Sequence, residues 1–187
     1  MAQSLDALIK QGEADQDAVE VGDGIFMSKN IANSYLVTTA EGDVLINTGT
    51  DFEAPAIKAR FAGVSNGPLR VITFTQGHPD HVGGWDLFNA AGVETIAQAN
   101  HRDVREYWRR LHPFYSRRIM ALWGAFMDVD AMAMKLPPEP VLTAAFIDSH
   151  AFELGGRRFE LYSTPGGETT DALVVWMPST APCSSAT

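Results

Sequence analysis

A single cysteine, Cys183, stands in the 187 residues. It excludes an internal disulfide and a thiolate metal cluster, so any metal would be held by imidazole, carboxylate or amide groups. Basic residues are also scarce: 14 Lys and Arg face 23 Asp and Glu, a formal net charge of −9. That balance argues against an electrostatic grip on nucleic acid. It does not bar an anionic substrate, because a bound divalent cation inverts the local potential. No run of 18 apolar residues is found, so no membrane span is expected. The N-terminal stretch "MAQSLDALIKQGEADQDAVE" lacks the continuous apolar core of a secretory signal, and the expected location is cytoplasmic. The 45% hydrophobic content and the length suit one domain with a substantial core.

What the sequence does contain is an alternation of short β-like runs and helical stretches. Residues 1–16 read as a polar peripheral segment. Strands are expected at Ile25–Lys29, Asn33–Thr39 and Asp43–Gly49, the last two joined by the hairpin turn "AEGD". A helix is expected within "DFEAPAIKARFAG", a buried β-branched strand at Leu69–Thr75, a short helix near "GGWDLFNAAG", and a strand at Glu94–Asn100. Residues 101–140 change character: helical composition, arginine pairs, and many aromatic and methionine side chains, closed by "PPEP". They read either as helices packed on the sheet or as a lid offering soft apolar surface to a substrate tail. His101, His112 and His150 read as ordinary residues rather than ligands. The β-rich block that follows, "FIDSHAFELGG", "RRFELYST" and "ALVVWMP", completes a layered α/β domain over 17–178.

The chemistry concentrates in "TFTQGHPDHVGGW", Thr73 to Trp85. His78, Asp80 and His81 supply two imidazoles and a carboxylate, donors that suit zinc and its neighbours. They follow a strand, and ligands of α/β sheets gather at the carboxyl ends of strands. Pro79 stiffens the turn, and Gly83 with Gly84 allows close approach of the chain. Taken alone, the same letters also describe a polar loop with two solvated histidines.

"TFTQGHPDHVGG" resembles the H-x-H-x-D-H signature of the metallo-β-lactamase superfamily. "DVLINTG" is similar to that superfamily's upstream strand, and "LYSTPGGETTDALVVWMP" to its later strand, Pro-Gly loop and next strand. The resemblance implies an αββα sandwich whose second half is incomplete here. It departs from the pattern in two places: Gln76 replaces the first histidine, and Gly167 falls where a Pro-Gly-His histidine usually stands, with Glu168 next. A Pro-Gly-x-Glu arrangement is similar to the alkylsulfatase branch. The resemblance implies Gln76, His78 and Glu168 around one metal position and Asp80 and His81 around a second. Asp80 would orient the nucleophilic water, and Thr169 and Asp171 would orient the ligands.

The expected activity is metal-dependent hydrolysis of an ester-like bond in a small molecule, with one or two Zn²⁺ ions or other divalent metals. Sulfate esters with apolar tails are one substrate class; carboxylic esters, thioesters and lactones are the other. The rival expectation is a catalytically impaired fragment that binds metal or a partner. Residues 179–187, "STAPCSSAT", read as an irregular tail. One codon choice for Thr180–Thr187, with a single base restored, encodes Thr-Arg-Thr-Val-Phe-Ile-Gly-Asn, a further strand ending in Gly-Asn. A truncated or frameshifted end is therefore expected, with homo-oligomer formation through the sheet edge it would expose.

Overall fold

The computed structural model describes residues 12–125 and 136–178. Among the described residues ten strands form two sheets. The first runs β1 (Val19–Gly22), β2 (Ile25–Ser28), β3 (Ser34–Thr39), β4 (Gly42–Ile46), β5 (Leu69–Thr73), β6 (Glu94–Gln98) and β7 (Ala144–Phe146), side by side in chain order. β1 to β4 are antiparallel meanders; β4 to β7 pair in parallel. The second sheet is antiparallel, in the order β10 (Leu173–Trp176), β9 (Arg157–Ser163) and β8 (Ser149–Leu154).

Alternation along the strands sorts side chains to two faces. Leu36, Leu45, Ile72 and Ala97 join Ile57 and Phe61 of helix α1 (Ala54–Ala62) and Trp85 in one core. Their neighbours Val37, Val44, Val71 and Ile96 meet Phe159, Leu161 and Leu173 of the second sheet in the other. The layers are helix, sheet, sheet. Among the described residues, 144–178 contribute strands and loops. Val174 and Trp176 on the outer face of the second sheet are half exposed.

Two short helices, α2 (Pro79–Val82) and α3 (Trp85–Phe88), follow β5. Helix α4 (His101–Trp123) follows β6. Tyr107, Phe114, Met120 and Leu122 on it are exposed, and among its described side chains His101, Arg105 and Ser116 are buried; the second half of the expected helical region, 126–135, lies outside the described residues. Met127, Met132 and Met134 lie outside the described residues. No described helix is long and apolar enough to cross a membrane. Strand β1 carries little signal in the sequence, being a four-residue edge strand of Val-Glu-Val-Gly with exposed side chains. Residues 12–16 are tied to the domain by buried Arg60, which donates to the carbonyls of Gly12 and Asp15.

Candidate metal centre

The site is built at the carboxyl ends of β4 and β5. Asn47 leaves β4 with φ 61°, a left-handed conformation that asparagine tolerates. Its side-chain nitrogen donates to the Asn33 carbonyl at 3.3 Å, so its oxygen faces the β5 loop. There Asn47 Oδ1 accepts from Thr75 N at 2.9 Å and from the Thr75 hydroxyl at 3.2 Å. With that proton committed, Thr75 Oγ1 accepts from His81 Nδ1, 3.0 Å away. His81 is therefore the Nδ1–H tautomer, and its Nε2 lone pair faces the site. Burial lowers the His81 pKa from its ordinary value; nearby Asp80 works against this and His78 with it.

Local sequence explains how the ligand candidates share one side. His78 caps α2 in an extended conformation, Pro79 opens the helix, and His81 closes its turn. Gly83 and Gly84 let this turn lie on the loop after β4. A Cβ on Gly84 would stand 2.4 Å from Ala54 Cβ and 2.5 Å from Thr48 O. Thr48 in return donates to the His81 carbonyl through its amide, at 2.7 Å, and through its hydroxyl, at 3.2 Å.

Glu168 arrives from the second sheet. The Leu173 amide donates to the Thr75 carbonyl at 2.9 Å, which stitches the start of β10 to the β5 loop. Glu168 Oε1 is 3.3 Å from His78 Nδ1, and Glu168 Oε2 accepts from Gln76 Nε2 at 2.8 Å. Gln76 Nε2 is also 2.9 Å from His81 Nε2, and Asp80 Oδ2 is 3.7 Å from the same nitrogen. The structure thus brings together all five of the residues singled out as ligands, across 92 positions of sequence.

The donor chemistry fits a divalent cation: two imidazoles, two carboxylates and a carboxamide. Buried Gln76 Oε1 has no hydrogen-bond partner, an acceptor left for something else. Yet among the described residues no three His, Asp or Glu side chains stand as ligands about one point. The donors are convergent rather than closed on a centre.

The side chains of Thr169 and Asp171 bond to each other and to His101 rather than to those five. The Thr169 hydroxyl donates to Asp171 Oδ1, and Asp171 Oδ2 pairs with His101 Nδ1 at 3.0 Å. Burial pushes the Asp171 carboxyl up, but the hydrogen bonds from His101 and Thr169 outweigh it, and the net shift is downward. The pair acts on the site through Gly77, where a Cβ would lie 2.9 Å from Asp171 Oδ2 and 3.4 Å from His101 Nδ1. His101 stacks on Phe74, ring centroids 5.4 Å apart. Arg105 donates to the Gly77 carbonyl at 3.0 Å and forks onto both oxygens of Glu139. His101 is no ligand candidate here, as expected of an ordinary residue, but it and Arg105 support the loop, a role the sequence did not single out. The available signal was their i, i+4 spacing at the start of a helix that follows a strand, a face continued by Trp108 and His112.

Outside the donors lies a cleft of about 500 Å³, bounded by His78, Glu168, Tyr107, Trp108 and Tyr115. Trp108 meets His78 edge-on at 5.2 Å and stacks on Tyr115 at 3.9 Å.

With this geometry established, the sequence profile described as the metallo-beta-lactamase superfamily matches residues 28–180. The chain belongs to that superfamily. Its fold is shared by the FEZ-1 metallo-β-lactamase of Legionella gormanii, with 18% identity, a TM-score of 0.66, and coverage of 86% of this chain and 57% of that one. The GOB-18 metallo-β-lactamase of Elizabethkingia meningoseptica gives 20%, 0.66, 94% and 60% in the same order. A Cronobacter sakazakii metallo-β-lactamase with a HARLDQ motif gives 23%, 0.62, 85% and 58%. The chain therefore spans less than two thirds of each of these superfamily members. No curated protein matches it.

Proposed function

We propose that the chain forms a metal-dependent hydrolytic site that cleaves an ester-like bond in a small molecule. One observation carries this reading: Gln76, His78, Asp80 and His81 on one loop meet Glu168 from the other sheet. His78, Asp80, His81 and Glu168 would hold the cation, with Gln76 a fifth donor once its oxygen faces inward. Zinc, as one or two ions, suits this mixed set best. When bound, zinc would lower the pKa of a coordinated water to about 7 and so supply hydroxide at neutral pH.

The protein's own groups do the rest. The Thr75–Asn47 relay keeps the His81 Nε2 lone pair directed at the centre. Asp80, about one-third exposed beside His81, orients water and accepts its proton. Water adds at the acyl or sulfuryl centre, the bond to the leaving oxygen or sulfur breaks, and the proton passes from Asp80 to that leaving group. Trp108 and Tyr115 offer an aromatic wall to an apolar tail. That wall supports helix α4 as a lid, and supports sulfate esters with apolar tails alongside carboxylic esters, thioesters and lactones.

The inward Gln76 nitrogen and the lack of three ligands about one point, among the described residues, favour a second reading: a fragment that binds metal without turnover. Elemental analysis of purified protein, then aryl sulfates, aryl esters, thioesters, lactones and a chromogenic β-lactam assayed with and without chelator, separates the two. Chelator-sensitive turnover supports the enzyme; bound metal with none supports the fragment. His81→Ala should lose metal and turnover together, and turnover retained in that variant overturns the mechanism.

A further inference from the structure

We infer that the Gln76 carboxamide is a lock: its NH₂ group stands between Glu168 and His81 where a cation would sit, and loading requires that amide to turn away. This rests on the metal-site reading above and adds to it a control on loading.

The lock follows from which atoms face which. Gln76 Nε2 is 2.8 Å from Glu168 Oε2 and 2.9 Å from His81 Nε2. Since His81 donates through Nδ1 to Thr75, its Nε2 is an acceptor. The amide therefore spends its two hydrogens on an anion and a lone pair, the two partners a cation would otherwise hold. Its own oxygen is buried without a donor. The opposite orientation would set that oxygen against the carboxylate and the imidazole lone pair, which is unfavourable without a cation and favourable with one. One side chain thus has two orientations, each matched to one state of the site. A cation must displace the first to gain the second, which lowers its apparent affinity.

The test uses the full chain. In the chelator-treated protein, ¹⁵N spectra should show the Gln76 side-chain NH₂ signals moving when Glu168→Ala removes their acceptor; unmoved signals overturn the lock. Zinc affinity is then measured by competition with a chromophoric chelator. Gln76→Ala should bind zinc as tightly as the unaltered chain or more tightly, and Gln76→Glu about tenfold or more tightly. Ordinary uptake by the unaltered chain with tenfold weakening in Gln76→Ala overturns the lock alone, since the amide is then a plain ligand. Uptake by Gln76→Ala but not by the unaltered chain upholds the lock and overturns hydrolysis by the native sequence. No uptake by any form overturns both.

Discussion

Valine in place of Thr75 removes one hydroxyl and little else, so Thr75→Val isolates the relay that sets the His81 tautomer. The lost oxygen lies 3.2 Å from Asn47 Oδ1 and 3.0 Å from His81 Nδ1. Two hydrogen bonds disappear at about 1 kcal/mol each, and a mostly buried imidazole N–H loses its acceptor. Partial access to water at Thr75 tempers this, for a net cost of about 1–3 kcal/mol. In a domain of this size each kcal/mol lowers Tm by about 2–4 °C, so calorimetry of metal-free protein should show a drop of roughly 2–12 °C. Zinc affinity should fall about 10- to 100-fold, as when other partners that orient a ligating histidine are removed. Thr75→Ser restores the hydroxyl and should restore both values. The ¹⁵N shifts of His81 report the tautomer directly. Unchanged shifts together with unchanged zinc affinity in Thr75→Val would refute the relay.

Other substitutions test the supports around the site. The depressed native pKa of Asp171 contributes stability that is present above its unfolded value near 3.9 and lost as pH falls through the native value. Asp171→Asn should therefore be less stable by about 1–3 kcal/mol at pH 7, with the gap closing below about pH 4; a gap independent of pH would disprove the linkage. Gly84→Ala places a methyl 2.4 Å from Ala54 Cβ and 2.5 Å from Thr48 O, at φ −91°, where alanine is otherwise unstrained. Overpacking of about 1–3 kcal/mol is expected, with weaker zinc binding because Thr48 holds the His81 carbonyl. Normal melting and normal zinc binding in that variant would contradict the packing argument. The exposed Val174 and Trp176 favour self-association through the second sheet. Sedimentation at micromolar concentration should show association weakened by Val174→Lys, and a strictly monomeric parent chain would remove the basis for it.

The sequence disclosed what local pattern can carry. The β-branched run before "TQGHPDH" made β5 legible, and His78, Asp80 and His81 were readable because a single turn holds them. Glu168 was legible only by resemblance, since its approach depends on bonds between distant segments, Leu173 to Thr75 and Asn100 to Thr170. Asn47, His101 and Arg105 were not legible. Each acts through a partner at least 28 positions away, so its local pattern, the end of "DVLINTG" for Asn47 and an i, i+4 spacing for the other two, does not show what it holds. The orientation of the Gln76 amide lies further still from sequence, because a letter names both its oxygen and its nitrogen.

The stitch from Leu173 to Thr75 has a consequence for biosynthesis. Ribosomes add about 5–20 residues per second, so the two histidines emerge seconds before Glu168. In that interval the first sheet can pair while its imidazoles remain open to water and to any ion present. Capture by the nascent chain would then be shallow and reversible, and retention would begin only when the second sheet docks and delivers its carboxylate.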